Sequence, residues 1–73
     1  MIKLDLHGIR HREVRNMVIR FIEKYWNTNT EVEIITGYSE RMKFFVKEVL
    51  DEYKLEYSDE FMGFKGGYIK CII

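Results

Sequence analysis

Apolar and polar side chains alternate through Ile2, Lys3, Leu4, Asp5, Leu6 and His7, and the alternation stops at Gly8. A period of two is that of a strand with one face on a core, so a first strand is predicted over about 2–7. Val14, Met17, Val18, Phe21, Ile22 and Tyr25 then recur at helical spacing, which predicts an amphipathic helix. Its outer face carries Arg12, Arg15, Arg20, Glu23 and Lys24, and the polar run Asn27-Thr28-Asn29-Thr30 ends it. A second strand follows at about 32–36. Met42, Phe45, Val46, Val49, Leu50 and Tyr53 repeat the helical spacing, placing a second helix over about 40–53 with Ser39 as its N-cap. Leu55, Tyr57 and Phe61 alternate with Glu56, Ser58 and Glu60 and predict a third strand. Residues 63–67, with three glycines, read as a turn, and 68–73 as a terminal strand.

The order is therefore β-α-β-α-β-β. Right-handed crossovers place both helices on the same side of the sheet when the strand order does not reverse. The expected fold is an α/β (α+β) two-layer sandwich, a four-stranded mixed sheet with both helices on one face. Val14, Val18, Phe21, Phe45, Val49 and Leu50 are the expected core of the helical layer. The 73 residues make one domain over 1–73, and a chain of this size buries only about 60% of its unfolded surface. Eleven aromatic residues supply bulk to so small a core, and Trp26, after the first helix, is expected to be a packing residue and not a stacking platform. One cysteine, Cys71, cannot form an internal disulfide. With no long apolar run, the expectation is a cytoplasmic protein that does not enter a membrane.

Twelve basic and twelve acidic residues cancel, which argues against coating nucleic acid by bulk electrostatics. The balance hides an asymmetry: residues 1–30 hold six basic and three acidic side chains, and 31–73 hold six and nine. A polyanion is expected to approach the side of the first strand and first helix.

Candidate chemistry gathers at the glycine turns after the two parallel strands, because open α/β sheets bind ligands at the carboxyl edge of their strands. Asp5 and His7 project from the same strand face, roughly 6 to 7 Å apart. An imidazole exchanges protons near neutral pH, and the carboxylate can orient the ring or hold an arginine. The plainer alternative is a histidine that closes the strand by bonding to loop backbone. Arg10, His11 and Arg12 open the first helix; either arginine can hold a phosphate through paired N–H donors. Thr36 and Gly37 can offer backbone N–H groups to an anion at the start of the second helix, or Gly37 can simply permit a tight turn. Tyr38, Ser39, Arg41 and Lys43 add hydroxyls and cations there. Tyr68 and Lys70 share a face of the last strand, suited to stacking a base and neutralising a phosphate. Two histidines and one cysteine without ligand spacing give no basis for a metal site, and no cofactor is expected.

Leu4-Asp5-Leu6-His7-Gly8, Glu13-Val14, Ile34-Ile35-Thr36-Gly37 and Gly67-Tyr68-Ile69-Lys70 together resemble the Smr (small MutS-related) domain over nearly the whole chain. The resemblance implies nucleic-acid processing, with endonucleolytic cleavage of RNA as the leading activity and nicking of DNA as a relative's alternative. It assigns acid and base work to Asp5 and His7, and implies no cofactor. The chain departs from the common Thr-Gly-x-Gly pattern of the family: Tyr38-Ser39 follows Gly37 and leads directly into the helix. That shortened loop, with the neutral net charge, keeps open a module that binds RNA, DNA or a ribosomal surface without cutting. A third class is a small protein-interaction domain that works through exposed aromatics. Oligomeric state is not legible in the sequence.

Overall fold

The computed structural model describes the backbone of residues 2–61 and 64–73 and, of these, all side chains but those of residues 60, 61, 64 and 65. Six elements follow in order: β1 (Ile2–Asp5), α1 (His11–Lys24), β2 (Glu31–Ile35), α2 (Glu40–Glu52), β3 (Tyr57–Phe61) and β4 (Phe64–Ile72). The sheet order is β1-β2-β4-β3. β1 pairs with β2 in parallel, and β4 runs antiparallel to both β2 and β3. This is the β-α-β-α-β-β mixed sheet expected from the periodicity.

Alternation along the strands divides the sheet into two unequal faces. Val32 and Ile34 of β2, and Ile69 and Cys71 of β4, are buried, and Leu6 and Ile73 just beyond strand ends join them. Val14, Val18 and Ile22 of α1 and Met42, Val46, Val49 and Leu50 of α2 complete that single core. Both helices enter one core and touch each other directly, so they cover the same face. Arg15 on α1 reaches Glu52 on α2 with two hydrogen bonds of 2.7 and 2.6 Å. The other face carries Lys3, Asp5, Glu33, Ile35, Tyr68 and Lys70, in register across β1, β2 and β4.

Ser39 caps α2 as expected, its Oγ accepting the Met42 amide at 3.1 Å. At the other end Lys54 adopts a left-handed backbone, φ 56°. The Lys54 amide bonds to the Asp51 carbonyl and the Leu55 amide to the Leu50 carbonyl, both at 3.0 Å, which satisfies the last helical carbonyls.

Three expectations need correction. β1 ends at Asp5, so His7 lies in a turn rather than on the strand. Phe64 to Gly67 belong to β4 and not to a turn, while Gly63 lies outside the described residues. Glycine carries no side-chain pattern, so a strand containing a pair of them reads as a break; here Gly67 is bare because β4 passes close to the β2–α2 loop. A Cβ on Gly67 would lie 3.3 Å from Gly37 Cα. Phe21 and Phe45 are half-buried, at the margins of the helical stripes, where Phe21 meets Tyr25 and Phe45 meets His11 edge to face. Trp26, 51% exposed, packs edge-on against Tyr53 at 5.6 Å.

Candidate nucleic-acid interface

The first half of the site is built by the end of β1. Leu6 is anchored in the core and its amide donates to the Ile35 carbonyl at 2.8 Å, extending the parallel pairing one residue past the strand. The chain then turns back: the His7 amide donates to Asp5 Oδ1 at 2.9 Å, and the Ile9 amide to the Leu6 carbonyl at 3.0 Å. Gly8 takes φ +81°, a left-handed conformation that glycine adopts without the Cβ penalty other residues meet. The turn delivers Arg10 as N-cap and His11 as first residue of α1. Asp5, His7, Arg10, His11 and Arg12 are all exposed at this edge. Among the described residues no hydrogen bond joins the His7 ring to the Asp5 carboxylate. Asp5 instead fixes the backbone that carries the ring.

The second half is the loop from β2 into α2, beside the first because Asp5 and Ile35 are register partners. Gly37 takes φ +66° there. Thr36 is buried, its Oγ1 donating to the Gly37 carbonyl at 2.8 Å. The amides of Thr36 and Gly37 both donate to the Gly67 carbonyl, at 3.0 and 2.9 Å. The expectation that these two amides face an anion is therefore corrected: β4 occupies them. What the loop presents is Tyr38, 78% exposed, with the half-buried Ser39 and the exposed Arg41 behind it. The first amides of α2, at Glu40 and Arg41, have no partner within the helix, as at any helix N-terminus, and that end favours negative charge.

Lys43 is also corrected as a surface cation. It is 1% exposed, and its Nζ donates to the Gly66 carbonyl at 2.5 Å. One turn into α2 its stem runs inward beneath the loop, and the ammonium lies 6.0 Å from the Tyr38 ring centre. Two candidate side chains expected on different helices do converge: the Arg41 guanidinium lies 5.9 Å from the Phe45 ring centre, and the His11 ring centre 5.6 Å from the same point. Phe45 thus joins the two halves, a role hidden in the sequence because it occupies an ordinary position in the apolar stripe. Tyr68 lies opposite Ile35, which is itself opposite Asp5, so Asp5 and Tyr68 share one row of the open face two strand spacings apart, about 10 Å. Lys70 is one row deeper, its ammonium 5.8 Å from the Tyr68 ring.

The family model of the Smr domain matches residues 4–65. The chain belongs to the Smr domain family. That match spans both halves of the interface, from Leu4 before the Asp5-x-His7 turn to Lys65 in β4. Smr domains are nucleic-acid-binding and nuclease domains. No curated protein and no solved structure matches this chain closely enough to count as a relative. No helix among the described residues of this Smr domain is long and apolar enough to cross a membrane.

Proposed function

We propose that this Smr domain binds RNA across the carboxyl edge of β1 and β2 and cleaves it, with His7 as the proton-transfer group. The observation that carries this reading is the Asp5–His7 turn: an exposed imidazole on a backbone held at 2.9 Å by the neighbouring carboxylate. In RNA the nucleophile is built into the substrate. The 2′-oxygen forms a bond to phosphorus as the bond to the 5′-oxygen breaks, leaving a 2′,3′-cyclic phosphate. His7 takes the 2′-hydroxyl proton and water protonates the departing 5′-oxygen. Asp5 acts through the His7 amide as a positioning residue. Arg10, Arg12 and Arg41 supply guanidiniums to phosphates, and the first amides of α2 offer an electropositive end. Tyr68 and Lys70 extend the same edge onto the open face.

A second reading, a domain that binds RNA, DNA or a ribosomal surface without cutting, is favoured by the Gly67 carbonyl. It takes the Thr36 and Gly37 amides, and with Lys43 buried the loop offers fewer phosphate donors than its sequence suggests. Single-turnover cleavage and affinity, measured on one labelled RNA with wild type and His7→Ala, separate the two. Cleavage requires His7 on the first reading: the variant binds as wild type does and cuts about 10²–10⁴-fold more slowly. Wild type that binds without cutting, or a folded His7→Ala protein that cuts equally fast, leaves the binding module.

A further inference from the structure

Arg12, Asn16, Arg20 and Lys24 follow one another at four-residue intervals along α1, and all four are exposed. Residues so spaced line one side of a helix, and this row runs for about 18 Å at 1.5 Å per residue away from the edge that holds His7. Ion pairs among the described residues involve Lys3, Arg15 and Lys47. None forms at Arg12, Arg20 or Lys24, although Glu13 and Glu23 lie on the same helix. Beside the row are two adjoining hollows of about 270 and 250 Å³ that share Met17 and Arg20. Leu4 of β1, an edge strand, and Phe21 line the larger one together with Lys24. The smaller one is lined by Glu13, Asn16, Met17 and Arg20. The result is a groove whose larger hollow has a half-buried apolar floor and a cationic rim, Arg20 and Lys24, that forms no ion pair among the described residues, while the smaller adds one carboxylate, Glu13.

We infer that a single-stranded stretch of nucleic acid lies in this groove, with phosphates on Arg20 and Lys24 and unpaired bases against Leu4, Met17 and Phe21. The inference rests on the reading of the domain as a nucleic-acid binder and gives the direction in which the strand leaves the His7 edge. Charge selects a polyanion, and the apolar floor selects its form. In a duplex the base faces are stacked on one another, so only an unpaired strand can lay them on protein side chains while its phosphates reach the rim.

The test is anisotropy of a labelled 12-nucleotide RNA, alone and annealed to its complement, over a salt series. Wild type, Arg20→Gln/Lys24→Gln and Lys54→Glu are compared. The last makes the same change in net charge on the loop after α2, outside the row, and all substituted side chains are exposed, so circular dichroism should be unchanged. Expected is tighter binding of the single strand. In the double variant affinity falls at least about tenfold, and the slope of log K against log salt flattens by about 1.4, since each phosphate contact on a single strand contributes about 0.7. Lys54→Glu leaves that slope unchanged. If wild type binds while the double variant matches it, or Lys54→Glu weakens binding equally, the groove is refuted and the binding edge stands. Equal affinity for the duplex refutes the single-strand assignment. Wild type that binds no nucleic acid refutes the groove and the proposed function together.

Discussion

Lys43 Nζ donates to the Gly66 carbonyl at 2.5 Å, tying the first turn of α2 to β4 directly behind the loop that β4 also holds through Gly67. The three bonds on Gly66 and Gly67 fix the same stretch of β4, so the lysine serves the shape of the interface and not its charge. Lys43→Met keeps most of the stem and removes the donor. Leaving a part-buried carbonyl without its partner costs at most roughly 1–3 kcal/mol, seen as a lower urea midpoint. The salt slope of RNA binding should not change, whereas a phosphate-binding lysine would flatten it by about 0.7.

Gly67 carries a related prediction. A Cβ there would lie 3.3 Å from Gly37 Cα and 3.4 Å from its carbonyl carbon, both backbone atoms, so the loop must move to accept it. Gly67→Ala should shift the Thr36 and Gly37 amide resonances and lower stability, while Gly8, with open space around its Cβ position, responds to substitution only through its positive φ. If Gly67→Ala leaves those amide resonances and the urea midpoint unchanged, the close approach of β4 to the loop is wrong.

The parts of the fold with strong periodicity were legible. Two helical stripes and an alternating first strand suffice for the element order, and Ser39 announces the start of α2. Asp5 and His7 stand at the carboxyl end of the parallel pair, as the alternation of the first strand indicates. What was not legible depends on contacts between elements remote in sequence. Nothing near Thr36 indicates that its amide is already taken by Gly67, 31 residues on. Lys43 reads as a surface cation because its partner is a backbone carbonyl, which leaves no mark on the sequence. The glycine pair of β4 looked like a turn for the same reason: it is shaped by what packs on it.

Arg15 and Glu52 join the outer sides of the two helices, and each stabilises the charged form of the other. The hydrogen bond and the charge of Glu52 raise the Arg15 pKa. The bond from Arg15 holds the Glu52 carboxyl below its ordinary value. A carboxylate whose folded pKa is depressed adds stability above its unfolded pKa, and the contribution fades as pH falls through the folded value. Glu52→Gln should therefore lower the urea midpoint at neutral pH and flatten its acid limb, with little difference from wild type once both are below the carboxylate range. The pair is exposed, so added salt should shrink the effect. An acid limb identical in the two proteins would show that the pair contributes nothing.

Asp5 offers the sharpest separation of positioning from chemistry, because its Oδ1 is used by the His7 amide. Asp5→Asn retains an oxygen that can accept that amide and removes the negative charge. Asp5→Ala removes both. If Asp5 works through the turn, the asparagine variant keeps the His7 and Gly8 amide resonances near their wild-type positions and cleaves RNA within a few-fold of wild type. The alanine variant then loses the turn and with it much of the rate. If the carboxylate itself handles a proton or orients the imidazole during reaction, both variants lose cleavage alike, and the pH profile of the asparagine variant changes form. RNA affinity measured beside single-turnover cleavage tells the outcomes apart. Removing a negative charge from the edge should leave phosphate binding equal or stronger, so a loss of binding in the folded asparagine variant would mean that Asp5 contacts the nucleic acid through groups other than its phosphates.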